Sequence, residues 1–181
     1  WSLLRDQQGR PSAVVEVSND ITALRRAEQA VRESEAQFRT LANAIPQLCW
    51  IANAEGGTFW YNQRWYEYTG TTPEQMEGWG WQSAHDPEVL PKVLERWKAS
   101  IATGQPFDME FPLRGADGVF RLFLTRAMPL KDERGRVFQW FGTNTDISEQ
   151  REAELRLAQS EREFRELAEL LPEFVWVTDA N

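Results

Sequence analysis

Residues 119–148 read VFRLFLTRAMPLKDERGRVFQWFGTNTDIS, and the reading of this stretch decides the fold. Two apolar runs, residues 119–130 and 137–144, flank Asp132-Glu133-Arg134-Gly135, a hairpin-like turn signal. The second run ends in Asp146-Ile147-Ser148, and there the period changes. Gln150, Ala153, Leu157, Ser160, Phe164, Leu167 and Leu171 recur at steps of three and four. Such steps put a stripe on one face of a helix. Asp146 sits at an N-cap position with Glu149 three residues on, the spacing of a capping box. The stretch therefore predicts an antiparallel strand pair that feeds directly into a long helix.

The chain contains this arrangement twice. Shifted by 126 positions, residues 1–55 lie over residues 127–181 without a gap. Asp6/Asp132, Gly9/Gly135, Arg10/Arg136, Asp20/Asp146, Ile21/Ile147, Phe38/Phe164, Leu41/Leu167, Pro46/Pro172 and Trp50/Trp176 are identical pairs. Shared helical composition would not preserve Gly, Pro and Trp together. A fixed-offset repeat of this kind reads as a tandem array, each unit a domain plus a linker. The first copy carries its own stripe, Leu24, Ala27, Val31, Ser34, Phe38, Leu41 and Ile45, on residues otherwise rich in Glu, Gln, Arg and Ala. Pro46 and Pro172 end the helices, because the residue before a proline is pushed from the α region. The helix over residues 21–45 would be about 37 Å long at 1.5 Å per residue. Its stripe suits either of two arrangements. It could fold onto its own domain, or it could form a parallel two-stranded coiled coil with Leu24, Val31, Phe38, Leu157, Phe164 and Leu167 in the dimer seam. Ser34 and Ser160 weaken that seam and leave its register adjustable.

Between the helices lies an α+β pattern. Residues 47–53 (QLCWIAN) and 58–61 (TFWY) read as strands joined at Glu55-Gly56-Gly57. Short helical stretches follow around residues 63–68 and 73–77, ended by Gly70 and Gly78. Asp86-Pro87 reads as the start of a helix running to about Thr103, with Leu90, Val93, Leu94, Trp97 and Ile101 on one face. Residues 107–113, 119–130 and 137–144 complete the set as strands.

This ordered pattern resembles a PAS domain followed by its PAC segment. Asn62-Gln63-Arg64-Trp65 through Tyr68-Thr69-Gly70 resembles the family's N-x-x-[aromatic]…[aromatic]-[TS]-G stretch. His85-Asp86-Pro87-Glu88 resembles its His-Pro-Asp-Asp turn with Pro and Asp exchanged. Gly135-Arg136 through Asp146-Ile147-Ser148 resembles the last hairpin and the Asp-Ile-Thr ending, which the first copy has intact at Asp20-Ile21-Thr22. The resemblance implies a five-stranded antiparallel sheet with helices on one face. It is flanked here by long amphipathic, coiled-coil-like helices. The expected division is the end of an upstream PAS domain (1–20), a linker helix (21–45), a complete domain (46–146), a second linker helix (147–171) and the first strand of a downstream domain (172–181). Such domains sit in arrays ahead of an output enzyme, most often a bacterial sensor histidine kinase or a cyclic-dinucleotide enzyme. The resemblance thus implies signal sensing, relay and dimerisation, with the signal junction at Asp20, Ile21, Thr22, Asp146, Ile147 and Ser148. The competing reading is a chemoreceptor for a small apolar or aromatic ligand.

The aromatic content bears on that choice. Nine tryptophans and ten phenylalanines can fill a core or line a pocket. If a pocket exists, it is expected between the long helix and the sheet, near Trp97, Leu122, Leu124 and Trp140. His85, the single histidine, lies in a helix-start turn, which favours a capping or surface role over haem ligation or general base chemistry. It does not resemble the haem-ligating histidine of haem-binding relatives, which lies further along the long helix. Cys49 reads as a small strand residue. Flavin photosensors carry their cysteine where this chain has Asn62-Gln63-Arg64-Trp65, so neither haem nor flavin is expected as cofactor.

The sequence has no G-x-S-x-G, H-E-x-x-H, phosphate-loop or metal-spaced Cys pattern, so no catalytic or metal residue is assigned and this segment is not expected to be an enzyme by itself. Glu33/Glu35 and Glu161/Glu163 read as solvated helix faces. A net charge of −8 without a basic cluster argues against nucleic acid and against an anionic membrane surface. No apolar run approaches the roughly 18 residues that span a bilayer. One cysteine cannot form an internal disulfide, which fits a reducing, cytoplasmic setting, with any membrane anchor elsewhere in a longer parent. The chain begins at Trp1 and stops at Asn181 just after a strand-like run, and it is expected to be a piece of such a parent. Expected partners are a second copy through the linker helices, neighbouring PAS domains and an output kinase domain.

Overall fold

The computed structural model describes residues 2–15 and 21–170, and the chain divides into two compact units, Trp1–Leu41 and Ala42–Asn181. In the first unit, β1 (Ser2–Arg5) and β2 (Pro11–Val15) pair antiparallel. Asp6 builds the turn: its carboxylate accepts from the backbone N–H groups of Gln8 (2.8 Å) and Arg10 (3.0 Å), and its own N–H donates to the Arg10 carbonyl (2.9 Å). Gly9 closes it at φ 79°, a left-handed conformation that side chains resist. In the second unit Asp132 makes the same bonds, from Arg134 and Arg136 at 2.9 Å each and to the Arg136 carbonyl at 2.9 Å, with Gly135 at φ 77°. Both D-x-x-G-R segments thus fold into one turn geometry.

Helix α1 (Thr22–Ala44) follows, and the side chains of residues 21–41 are all exposed. Surface pairs such as Glu35–Arg39 (2.7 Å) lie along it at i,i+4 and contribute little each. The expected N-cap Asp20 and the strand expected at 172–181 lie outside the described residues.

The second unit is organised by one sheet. Strands β3 (Leu48–Asn53), β4 (Thr58–Tyr61), β5 (Phe107–Arg114), β6 (Phe120–Lys131) and β7 (Val137–Asp146) run antiparallel in the order β4-β3-β7-β6-β5. Between β4 and β5 come α2 (Gln63–Thr69), α3 (Pro73–Met76), a 3₁₀ turn (Gly80–Ala84) and α4 (Leu90–Thr103). Helix α5 (Ser148–Leu170) follows β7 directly. The expected five-stranded antiparallel sheet with its helices is therefore present.

One boundary differs from expectation. Helix α4 begins at Leu90 rather than at Asp86-Pro87. Asp86 does start a turn, accepting the Glu88 N–H on its carboxylate (2.8 Å) and the Leu90 N–H on its carbonyl (2.9 Å). Pro91 then interrupts the ladder, since it has no N–H to give. Regular helix begins only around that proline, which the first turn tolerates.

Asn62 ties the first half of the unit together. As N-cap of α2 it is 1% exposed. Its Oδ1 accepts from the N–H groups of Cys49 (3.0 Å) and Trp65 (3.3 Å), and its Nδ2 donates to the carbonyls of Ala42 (2.8 Å) and Gln47 (2.9 Å). The end of α1, the entry to β3 and the start of α2 thus converge on one amide. Gly142 of β7 faces Trp50 across the strand pair, and a Cβ at residue 142 would overlap the indole.

The core lies between the helices and one face of the sheet. Trp97 of α4 is its centre, meeting Trp50, Phe107 and Trp140 edge-on at 5.6, 5.6 and 5.0 Å. Edge-on contact suits the ring quadrupoles.

Candidate functional site

Strand parity decides which side chains reach the interior. Along β6, Phe123, Thr125 and Ala127 are buried, whereas Leu122 and Leu124 alternate with them onto the opposite face and are only half-buried. Along β7, Trp140, Gly142 and Asn144 point inward. A cavity of about 40 Å³ remains here, lined by Trp97 and Val93 from α4, Trp50, Tyr61, Phe107, Phe111 and Asn144 from the strands, and Trp65, Trp81 and His85 from the short helices and turns. Of the four residues expected to mark a pocket, Trp97 lines the cavity. Leu122 and Leu124 do not, because they occupy the other face of the sheet. Trp140 is fully buried against Trp97 but lies outside the lining. At roughly 10–15 Å³ per water, the cavity has room for about three or four waters. It is far smaller than the roughly 300 Å³ and more of pockets that enclose drug-sized ligands. The aromatic cluster is thus mainly a filled core with a small void at its polar end.

The polar groups of that void form a connected set. Trp50 Nε1–H donates to Asn144 Oδ1 (2.7 Å), and Asn144 Nδ2–H donates to Thr125 Oγ1 (2.8 Å). His85 is 7% exposed, which corrects the expected surface position. It does cap the 3₁₀ turn, giving its backbone N–H to the Gln82 carbonyl at 3.1 Å. Its ring is held inward between Trp81 (4.9 Å) and Phe111 (4.8 Å), because the turn is pinned to β5 by the His85–Leu113 bridge. Nδ1 lies 3.0 Å from the Trp81 carbonyl, an acceptor only, so Nδ1 carries the proton and Nε2 is a bare acceptor. Burial pushes the imidazole down to about 4, so it is neutral near pH 7. Among the described residues His85 Nε2, Trp65 Nε1 and Trp140 Nε1 are buried without a hydrogen-bond partner. Two of these, an acceptor on His85 and a donor on Trp65, belong to side chains that line the void.

Cys49 is buried in β3 and burial pushes its thiol up to about 11, which makes it inert. Among the described residues no cluster of three or more His, Cys, Asp or Glu could hold a metal ion, and no helix is long and apolar enough to cross a membrane.

A second arrangement lies where β7 passes into α5. Ile147 is buried and its N–H donates to the Leu122 carbonyl of β6 (2.9 Å). Ser148 gives its N–H to the Asp146 carboxylate (2.9 Å), and its hydroxyl accepts the Leu122 N–H (3.1 Å). One turn on, Arg151 reaches Glu110 of β5 at 2.6 Å and Glu154 at 2.8 Å. Asp146, Ile147 and Ser148 are thus brought together and bonded to β6. In the first copy, Ile21 is exposed and accepts the Arg25 N–H on its carbonyl (2.9 Å), Thr22 opens α1, and Asp20 lies outside the described residues. Of the expected seam residues, Leu24, Val31, Phe38, Leu157, Phe164 and Leu167 all expose a large part of their side chains, Leu157 64% and Leu167 63%.

Asn62, Thr125 and Asn144 were not singled out from sequence as site residues. The available signal was parity: Asn144 shares a face with Trp140 in an apolar strand, and a polar residue at an inward position needs an internal partner.

Residues 58–144 match the family described as PAS fold. The chain is 36% identical over 168 residues to the uncharacterized protein y4lL of Sinorhizobium fredii, covering 93% of this chain and 20% of that protein. It is 32% identical over 151 residues to the peroxide stress-activated histidine kinase mak1 of Schizosaccharomyces pombe, covering 80% and 9%. The chain therefore spans a fifth or less of the length of these relatives. Among solved structures, the PAS domain of a Colwellia psychrerythraea protein superposes with a TM-score of 0.53 at 16% identity, covering 63% of this chain and 97% of that one.

Proposed function

We propose that this chain, whose residues 58–144 match the PAS fold, is the sensing, relay and dimerisation segment of a tandem PAS array in a signalling protein, passing conformational change to an output histidine kinase. The observation that carries this reading is the bonded passage from sheet to helix. Ile147 and Ser148 fix the first turn of α5 to Leu122 of β6 through hydrogen bonds at 2.9 and 3.1 Å, and the Asp146 carboxylate holds the turn itself by accepting the Ser148 N–H at 2.9 Å. A shift of β7 relative to β6 therefore has to move the start of α5. The exposed Leu157, Phe164 and Leu167 then supply an apolar seam for a second copy, and Ser160 keeps that seam weak enough to hold two close-lying registers. The matching turns at Asp6 and Asp132 support the array, with α1 as the preceding linker. The test is Asp146→Ala in the full-length parent. Output that no longer follows the stimulus, in a protein that still folds, supports the relay; an unchanged response defeats it.

A chemoreceptor role has one observation in its favour, the unpartnered His85 Nε2 and Trp65 Nε1 beside the core void. A small neutral molecule that both donates and accepts would satisfy them. Native mass spectrometry of the purified chain tests this: a copurifying molecule favours the receptor, and a bare chain favours the relay alone.

A further inference from the structure

Beside the edge strand β4 lies a surface groove of about 170 Å³, lined by Phe59, Tyr61, Tyr66, Pro73, Glu74 and Glu77. Tyr61 is buried, and its hydroxyl donates to the Met76 carbonyl at 3.3 Å, which fixes the ring. Tyr66 of α2 stands against it at 68° with centroids 5.9 Å apart, so the two rings make a corner. Phe59 is skipped in the β3–β4 register, where Trp60 pairs with Ile51 and Thr58 with Ala52, and its ring is 53% exposed. Two carboxylates complete the lining, Glu74 in the first turn of α3 and Glu77 at its end. Among the described residues neither forms an ion pair. Glu74 is held below the usual carboxylate range by backbone and Thr72 hydrogen bonds, so it is charged at neutral pH. Its charge adds to burial in pushing the Tyr66 phenol up.

We propose that this groove binds a small methylated ammonium ion. Aromatic rings offer a cation their negative faces, and the neighbouring carboxylates give the site its sign. A bare metal ion would need converging oxygen ligands, which the rings do not provide. A primary ammonium holds its water more tightly and asks for three acceptors, whereas a methylated one presents an apolar shell that matches the ring faces. A net charge of −8 favours the approach of cations from solution. The site also has a route inward. Tyr61 lines the core void as well as the groove, its ring lies 4.6 Å from Trp65, and its backbone pairs with Trp50, which in turn pairs with Gly142 of β7.

The experiment is a titration of the whole chain with tetramethylammonium chloride, against sodium chloride at equal ionic strength, followed by NMR of the aromatic side chains. Saturable shifts confined to Phe59, Tyr61 and Tyr66 are expected, with affinity in the millimolar range. Glu74→Gln and Tyr66→Leu, both partly exposed and so compatible with folding, should each weaken binding about threefold or more. Unchanged melting curves will show that these variants fold. Neopentyl alcohol, an uncharged analogue of similar shape, should not saturate the site. The proposal fails if tetramethylammonium gives no saturation, if neopentyl alcohol binds equally well, if Glu74→Gln binds like the parent, or if N-acetyl-lysine methylamide binds more tightly than tetramethylammonium.

Discussion

Removing the Asn62 amide should separate the three segments that it joins. In Asn62→Ala the backbone N–H of Cys49 and the carbonyls of Ala42 and Gln47 lose their bonds to residue 62, and α2 loses its cap. Each lost bond costs about 1 kcal/mol and the cap about another 1, so the variant should be less stable by about 4 kcal/mol. For a domain of roughly 100 residues each kcal/mol moves the melting temperature by about 4–8 °C, so a fall of at least about 15 °C is expected by calorimetry or circular dichroism. Asn62→Asp sharpens the argument. It keeps an acceptor for Cys49 and Trp65 but aims a second oxygen at the carbonyls of Ala42 and Gln47, which accept from Nδ2 at 2.8 and 2.9 Å. Only the protonated acid can donate there, so the new carboxyl has a raised pKa in the folded state. A group with a raised folded pKa stabilises below its unfolded value and loses that contribution as pH rises. Asn62→Asp should therefore recover part of its loss, relative to the parent, between pH 7 and roughly pH 4. A melting temperature within about 3 °C of the parent for Asn62→Ala, or an Asn62→Asp deficit that does not shrink on acidification, would refute the assignment of this side chain as the tie.

His85 gives a second pH test. Its folded pKa is depressed to about 4, so the unfolded chain binds more protons between there and 6.5. Stability should fall as pH drops through that window, by about 3 kcal/mol for this group. His85→Phe should flatten the slope of unfolding free energy against pH, and an unchanged slope counts against a neutral buried imidazole. Leu157→Asp should abolish or weaken self-association measured by sedimentation if the α5 stripe is a seam between copies, whereas unaltered sedimentation removes that role. Gly142→Ala should cost more than about 1 kcal/mol in denaturant unfolding, because the added methyl overlaps the Trp50 ring, and a smaller loss would mean that the indole yields.

The elements were legible because each rests on local rules. The turn at Asp132 follows from an Asp that caps its own backbone and a Gly free to take φ 77°, and the same four-residue logic reappears at Asp6. The strands 107–114, 120–131 and 137–146 followed from apolar runs between turn signals, and α5 from its stripe. The start of α4 was misplaced because two prolines compete there: Pro87 suits a first turn, but Pro91 sets where regular hydrogen bonding can begin. The candidate pocket was half misread for a different reason. Leu122 and Leu124 are apolar and lie in a strand, and nothing local tells which face of the sheet the helices will cover.

By itself, the amino-acid order determined the turns, the stripes and the succession of elements, since these depend on neighbours a few residues apart. Tertiary structure alone decided that His85 is buried and neutral, that Asn144 and Thr125 share a hydrogen bond across two strands, and that Tyr61 separates a surface groove from the core. These outcomes turn on strand register and on which sheet face is covered. A one-residue change in register exchanges every inward side chain for an outward one, and contacts between distant segments set that register.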